Sequence, residues 1–283
     1  MKVAIIGADG QLGSDVADAF REKGDDVYSL DHSKVEVASF DSVVEAFDYV
    51  KPEITVNTAA MHHVEKCEMD PGRAAAVNTL GAENLGRATS RFGSLLIHIS
   101  TDYVFDGAKH QPYVESDLPM PLNVYGKTKL AGESRIPQVC EKFFILRTSA
   151  LYGKKACKAK GPNFVELMLQ RAREGRKLRV VNDEIVSPTS TAELAKQIVT
   201  LSRSKAYGLY HATAEGSCSW YEFAREIFSL ANVPASLEIA GPNEFPAKVP
   251  RPKYSVLENH GLKTKRLNTF RDWREGLRDY LLT

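Results

Sequence analysis

The 283-residue chain lacks several features that would place it in a specialised class of protein. It has no Cys-x-x-Cys pair, so we expect reduced thiols rather than a disulfide framework or a zinc site. The formal net charge is only +1, which gives no electrostatic footprint for a nucleic-acid partner. No internal repeat or low-complexity tract is present. The four cysteines are Cys67, Cys140, Cys157 and Cys218.

Long hydrophobic runs are also missing. The opening run, Met1–Gly7, has the length of a strand, is too short to span a membrane, and lacks a cleavage site. We therefore expect no membrane partner and a cytoplasmic location. The composition, 43% hydrophobic and 26% charged, is that of an ordinary globular chain long enough to bury a large core.

Short apolar runs alternate with helix-like segments through the first half of the chain. Strands this apolar, separated by helices, predict an α/β fold: a doubly wound parallel sheet covered on both faces. A long helix is expected at Arg73–Arg91. The Ser-x-x-Glu spacing predicts capping boxes at Ser42–Glu45, Ser190–Glu193 and Ser219–Glu222. The predicted strands are Val3–Ile6, Val27–Leu30, Ile54–Val56, Leu95–Ile99 and Phe143–Leu146.

A glycine-rich turn follows the first predicted strand. Its Gly-x-x-Gly-x-x-Gly spacing lets the backbone approach a pyrophosphate at a helix N-terminus, although such turns also occur without a ligand. Asp31 closes the second strand, where an acidic residue binds the ribose diol of NADH or simply starts a turn. Lys34 can accept the 2′-phosphate of NADPH, so both cofactors stay open. The predicted cofactor-binding residues are Gly7, Gly10, Gln11, Leu12, Gly13, Asp31, Ala59, Ala60, Met61, Tyr125 and Lys129.

Tyr125 and Lys129 lie four residues apart, which puts both on one face of a helix. A lysine ammonium beside a phenol is expected to lower the pKa of the tyrosine, so that it donates and recovers a proton near neutral pH. The same spacing also occurs by chance on solvated helix faces. Ser100 and Thr101 end the fourth strand; either hydroxyl can bind a substrate carbonyl, and spacing alone does not choose between them.

Longer segments carry a resemblance. I-S-T-D-Y-V-F-D-G from Ile99 and P-L-N-V-Y-G-K-T-K-L-A-G-E from Pro121 resemble the dTDP-4-dehydrorhamnose reductase family of the extended short-chain dehydrogenase/reductase superfamily, and weaker matches cover nearly the whole chain. The resemblance implies hydride transfer from NADPH or NADH to C4 of dTDP-4-dehydro-L-rhamnose. It assigns Thr101 to orient the carbonyl, Tyr125 to protonate the alkoxide, and Lys129 to hold the nicotinamide ribose. Its implied substrate-binding residues are Val64, Asn78, Asp102, Tyr103, Val104 and Asn163.

The resemblance also implies an organisation. Residues 1–150 are expected to form an NAD(P)-binding Rossmann domain and residues 151–283 a smaller substrate-binding lobe. Segments around 178–181 and 208–212 are expected to return to the main sheet. A nucleotide sugar is the expected partner, a homodimer is compatible with the family, and no metal is expected.

The chain departs from the family pattern at Ala150, where an aromatic residue usually follows Arg-Thr-Ser and contacts the sugar. Another nucleotide-linked 4-keto sugar is therefore an alternative substrate. His62 and His63 also stand in an altered segment, as exposed loop residues or as sugar contacts. Two further readings stay open: a non-catalytic regulatory subunit resembling the methionine adenosyltransferase β subunit, and an epimerase or dehydratase that holds NAD permanently.

Overall fold

The computed structural model describes residues 1–155, 161–241, 244–245 and 247–282. Cys157 lies outside these ranges. The strands are β1 Lys2–Ile6, β2 Asp26–Leu30, β3 Ile54–Asn57, β4 Leu95–Thr101, β5 Phe143–Thr148, β6 Leu151–Tyr152, β7 Leu178–Val180, β8 Ile185–Val186, β9 Thr189–Ser190, β10 Gly208–His211, β11 Cys218–Ser219 and β12 Leu237–Ile239. The α-helices are α1 Gln11–Glu22, α2 Phe40–Val50, α3 Val64–Met69, α4 Pro71–Ala75, α5 Gly81–Phe92, α6 Val124–Val139, α7 Phe164–Arg173, α8 Thr191–Ser202, α9 Trp220–Ala231, α10 His260–Thr264 and α11 Trp273–Leu282.

Six strands form one parallel sheet in the order β10-β5-β4-β3-β1-β2. One face packs on α1 and α8 through side chains such as Phe20 and Ile198. The other face packs on α2, α5 and α6 through Phe47, Leu85 and Ile136. This arrangement confirms the doubly wound α/β fold, and burial on both faces explains why the strands are so apolar.

The last part of the chain forms a third hydrophobic cluster, which runs from Tyr152 to Tyr280. Of the two segments expected to return to the main sheet, the one at β10 lies at its edge beside β5. The other is a correction: β7 pairs with β12 in a separate two-stranded sheet. Leu178 and Val180 of β7 instead pack within the third cluster, away from the main sheet.

The expected helix at Arg73–Arg91 is divided into α4, a π-helical turn at Ala76–Leu80, and α5. Such π turns occur mostly as local bulges inside α-helices, often at functional sites. Among the described residues, no helix is both long and apolar enough to span a membrane.

Two of the three predicted capping boxes are wrong. Helix α2 begins three residues earlier than expected, and Ser39 caps it by accepting from the Ser42 amide. Ser190 makes no side-chain cap, because Glu193 is drawn into an ion pair with Arg271. Only the box at Ser219–Glu222 has both reciprocal hydrogen bonds. Whether a Ser-x-x-Glu sequence forms a capping box thus depends on whether the glutamate has another partner in the tertiary structure.

Helix α6 packs unusually close to its neighbours. A Cβ on Gly126 would overlap the carbonyl oxygen of Tyr103, and one on Gly132 would overlap the carbonyl oxygen of Asn78 in the π turn. Both glycines therefore set the depth at which α6 lies against the ends of the strands.

We predict that Gly132→Ala lowers the free energy of unfolding by about 1–3 kcal/mol, because the added methyl forces α6 away from the π turn. Gly72→Ala is the matched control, since it lies in α4 with no neighbour closer than 3.6 Å to an added Cβ. It should be neutral or stabilising by up to ~1 kcal/mol, as alanine favours the helix. Urea denaturation of both variants measures this, and equal stabilities would contradict the packing argument.

Candidate active site

The glycine-rich turn lies at the edge of the sheet where the parallel strands end. Gly7 has φ +78°, and a Cβ there would lie 2.9 Å from the amide nitrogen of Ala59. The turn is thus packed directly on the segment that follows β3. A Cβ on Gly10 would meet only the Gly7 carbonyl, at 3.3 Å, and no side chain caps α1 at this residue. The exposed start of α1 therefore fits a pyrophosphate group.

The neighbouring residues of the turn are placed differently. Leu12 is buried in the cluster beneath the sheet, so its contribution to the cleft is through the backbone. The side-chain amide of Gln11 donates to the carbonyl of Gly153 at 3.4 Å, which links the cofactor turn to the later part of the chain.

Asp31 lies just beyond β2, as predicted. Its carboxylate accepts from the Ser33 amide at 3.0 Å and from the Ser33 hydroxyl at 2.6 Å, so it also starts a turn. Lys34 and Arg21 both reach Ser29, through its carbonyl and its hydroxyl respectively. Asp31, Lys34 and Arg21 thus line one cleft of about 240 Å³. A carboxylate there suits a ribose diol, and the two cations suit a 2′-phosphate.

The structure separates the two candidate hydroxyls at the end of β4. The hydroxyl of Ser100 donates to Glu133 at 2.5 Å, inside the protein. The hydroxyl of Thr101 faces Tyr125. Burial raises the pKa of this tyrosine, and its hydrogen bond with Thr101 offsets part of the increase. This favours Thr101, the residue that the resemblance also selected.

The Thr101 side chain is fixed by a hydrogen bond to a buried carboxylate. Its hydroxyl donates to the buried carboxylate of Asp102 at 3.0 Å, and that carboxylate also accepts from Ser149 at 2.8 Å. Burial raises the pKa of Asp102. Asp102 therefore positions Thr101, and its own role in substrate binding stays a prediction.

Tyr125 is the second residue of α6. Its ring and that of Tyr103 pack in a T-shaped arrangement, with 5.7 Å between the ring centroids. Burial raises the pKa of Tyr125 above its ordinary value of 10, and only the Thr101 hydrogen bond opposes this. The expected lowering by Lys129 is wrong for this structure. The lysine amine lies elsewhere, against the carbonyl of Ile99 at 2.5 Å and Nε2 of His98 at 3.1 Å.

The raised pKa has a chemical consequence. Tyr125 carries its proton at neutral pH, which is the form that a general acid needs when it protonates an alkoxide. Lys129 is itself buried, and burial lowers its pKa to about 8, opposed by the carboxylate of Glu133. The two side chains share one helix face, as the spacing predicted, but their protonation is governed by burial.

A buried ion pair anchors this helix face to the sheet. Glu133 accepts from Arg147 of β5 at 2.7 and 3.0 Å and from Ser100 of β4. Both side chains of the ion pair are at most 4% exposed. Sequence reasoning missed Glu133 and His98, because a lone charge in a helix or a histidine in a strand carries no spacing signal.

The remaining predicted residues are spread around the cleft. Asn78 accepts from the Met61 amide at 2.9 Å and donates to Thr128 of α6 at 3.0 Å, so it clamps the segment after β3 to this helix. Val64 begins α3 and is 6% exposed. Ala59 and Ala60 are half-buried beside Gly7.

Two predicted substrate contacts are not favoured by the structure. Val104 is fully buried against Phe105 and Tyr113, which leaves its side chain no surface for a substrate. Asn163 forms the capping box of α7, and its amide donates to the carbonyl of Gly153 and the hydroxyl of Tyr280. Its role at a diphosphate stays a prediction.

The departures from the family pattern also have defined surroundings. His63 faces Glu65 at 3.1 Å, and Glu65 binds Arg251 at 2.6 Å. Ala150 has φ +45°. In the part of the chain that the structure describes, no three His, Cys, Asp or Glu side chains are grouped to hold a metal ion.

Comparison with known proteins gives a consistent result. The family model described as "RmlD substrate binding domain" matches residues 1–283. SpsK, the spore coat polysaccharide biosynthesis protein of Bacillus subtilis (strain 168), is 39% identical over 99% of this chain and 96% of its own length. The dTDP-4-dehydrorhamnose reductase of Escherichia coli (strain K12) is 33% identical over 99% and 97%. The crystal structure of the reductase of Bacillus anthracis str. Ames in complex with NADP has a TM-score of 0.94 at 37% identity and covers 100% of this chain and 99% of that chain.

The parallel sheet, the glycine turn at the strand ends and the Thr101–Tyr125 pair define a Rossmann-type oxidoreductase of the short-chain dehydrogenase/reductase class. Within that class, the match over the whole length is specific. The chain belongs to the RmlD substrate binding domain family, whose members include dTDP-4-dehydrorhamnose reductases.

We predict that Glu133→Gln lowers the free energy of unfolding by about 3–5 kcal/mol, because it leaves the Arg147 cation buried and unpaired. Glu83→Gln is the control, since Glu83 faces the half-exposed Arg135 at 3.8 Å. It should cost less than about 1 kcal/mol. Chemical denaturation of both variants measures the difference, and a Glu133→Gln cost as small as the control would show that the ion pair does not anchor α6.

Proposed function

We propose that the protein reduces the C4 keto group of a nucleotide-linked 4-keto-6-deoxy sugar, most simply dTDP-4-dehydro-L-rhamnose to dTDP-L-rhamnose. The observation that carries this proposal is the half-buried Tyr125 beside Thr101, at the carboxyl ends of the strands. Doubly wound folds bind their ligands at that edge. Family membership supports the sugar-nucleotide part of the proposal.

The cofactor is NADPH or NADH, which supplies the hydride when it is bound. Gly7, Gly10 and Gly13 would hold its pyrophosphate at the start of α1. Asp31 and Lys34 would contact the adenosine ribose or its 2′-phosphate. Because the cleft has both groups, we expect the protein to use either cofactor.

The reacting carbonyl would lie between Thr101 and Tyr125. Thr101, whose hydroxyl donates to Asp102 in this structure, would turn that proton to the carbonyl oxygen and fix its direction. Tyr125 gives its proton to the alkoxide that forms at this oxygen. A sugar alkoxide is more basic than an ordinary phenolate, which favours this transfer, and the raised pKa of Tyr125 reduces that advantage. Lys129 would hold the nicotinamide ribose.

The particular sugar is a second question. Ala150 offers only a methyl group where an aromatic side chain is usual, and SpsK, a similar protein, is named for spore coat polysaccharide biosynthesis. A different nucleotide-linked 4-keto sugar is therefore our second candidate. We further propose that residues 1–150 bind the cofactor, that residues 151–283 bind the sugar nucleotide, and that the protein works in the cytoplasm.

We predict that the purified protein oxidises NADPH or NADH when given dTDP-4-dehydro-L-rhamnose, and that Tyr125→Phe lowers kcat by about 10²–10⁴-fold through loss of the general acid. The measurement is the fall in absorbance at 340 nm. Tyr210→Phe is the control, because Tyr210 is a buried tyrosine whose hydroxyl binds the carbonyl of Ala206. It should keep the activity.

Equal turnover by Tyr125→Phe and wild type would contradict the role of Tyr125. A panel of other nucleotide-linked 4-keto sugars separates the two candidate substrates. No turnover with any keto sugar, together with binding of methionine adenosyltransferase, would favour a regulatory subunit instead. Tightly bound NAD without net cofactor consumption would favour an epimerase or dehydratase.

A further inference from the structure

Three buried side chains form a hydrogen-bonded line beneath the cofactor cleft. The amide nitrogen of Asn57, at the end of β3, lies 2.9 Å from Nδ1 of His98 in β4. Nε2 of the same ring lies 3.1 Å from the amine of Lys129. All three residues are at most 2% exposed, so water does not compete for these contacts.

The orientation of Asn57 is determined by its other contact. Its side-chain oxygen accepts from the amide N–H of Ala59 at 3.1 Å, which only an oxygen can do. The NH₂ group must therefore point at His98. Since an NH₂ group only donates, Nδ1 of His98 is the acceptor and carries no proton.

The proton of the neutral ring is consequently on Nε2, which faces Lys129. Burial and the nearby lysine keep the pKa of His98 well below its ordinary value of 6.5, so the ring is neutral. An N–H facing an amine makes a hydrogen bond only if the nitrogen has a lone pair. A protonated Lys129 has none, whereas a neutral Lys129 accepts from His98 and still donates to the carbonyl of Ile99.

We propose that Asn57 and His98 are positioning residues that present a ring N–H to Lys129, which disfavours its protonated form and places the amine against β4. The contacts behind this inference do not depend on the proposed function, whereas its effect on activity rests on that function. The Ala59 amide that orients Asn57 belongs to the segment beneath Gly7, so the line begins at the cofactor turn itself.

Other charged groups around Lys129 are few. Glu133, one turn along α6, favours the protonated amine, but its carboxylate is already paired with Arg147 of β5. Asp102 and Cys67, on the elements packed against the start of α6, act on Tyr125. The ring N–H of His98 is therefore the dipole in direct contact with the amine.

The proposed reaction should therefore lose activity at alkaline pH. In the proposed reaction the protonated lysine is the form that holds the nicotinamide ribose. The pKa of Lys129 is lowered from 10.5 to about 8, so the protonated fraction falls as the pH rises through that value. An activity that needs this form then declines from about pH 8 upward, well below the range of an ordinary lysine.

The first test observes the ring directly. ¹⁵N NMR of histidine side chains, with the His98 signal assigned by its loss in His98→Gln, distinguishes the two neutral tautomers. We expect the Nε2–H form at about pH 9, above the pKa of Lys129. An Nδ1–H form, or a charged ring, would overturn the proposal whether or not the protein is a reductase.

The second test changes the ring. His98→Gln removes the N–H and offers a side-chain oxygen, so the titration of Lys129, followed by ¹³Cε NMR, should rise by about one pH unit. The alkaline limit of kcat/KM should rise with it. His211→Gln is the matched control, a buried strand histidine in β10 whose ring binds the carbonyls of Tyr113 and Glu258.

The two variants separate a positioning role from a structural one. Both should lose stability, but only His98→Gln should shift the Lys129 titration. An unchanged titration in His98→Gln, or an equal shift in His211→Gln, would overturn the proposal. If both NMR results are as expected and no keto sugar is reduced, the line of three side chains stands and the proposed function fails.

Discussion

The ion pair between Glu133 and Arg147 is the interaction on which the site depends. It joins α6 to β5, and the Ser100 hydroxyl joins the same carboxylate to β4. A buried ion pair contributes little net stability, because desolvation offsets the attraction, but it strongly penalises any arrangement in which the partners separate. It therefore fixes the rotation and depth of α6, and with them the direction in which Tyr125 and Lys129 point.

Burial, rather than the charge of a neighbouring side chain, governs protonation at this site. A tyrosine and a lysine on one helix face suggest mutual tuning, yet Tyr125 interacts with Thr101 while Lys129 interacts with His98 and Ile99. Burial disfavours the charged form of each, which raises the pKa of the acid and lowers that of the base. Both shifts favour the neutral form of the group, because a charge inside the fold is costly.

The sheet was predictable because its strands are apolar on both faces and end at glycine or polar residues. The cofactor turn was predictable because glycine spacing is local. Capping boxes and the long helix at Arg73–Arg91 were predicted less well. Glu193 finds Arg271, 78 residues further on, and the chain at Asn78 widens into a π turn that packs against Gly132. Such contacts join segments that are far apart in sequence.

What the sequence determined by itself was the order of elements, the glycine turn and the spacing of Tyr125 and Lys129, because each follows from the local periodicity of helix or strand. The tertiary structure supplied the physical reason for choosing Thr101 over Ser100, which residue spacing had left open, and it alone decided that Val104 is interior. It alone brought Asn57, His98 and Lys129 into one line from three separate elements. Hydrogen bonding between buried groups depends on which segments the fold places side by side, and no spacing along the chain records that.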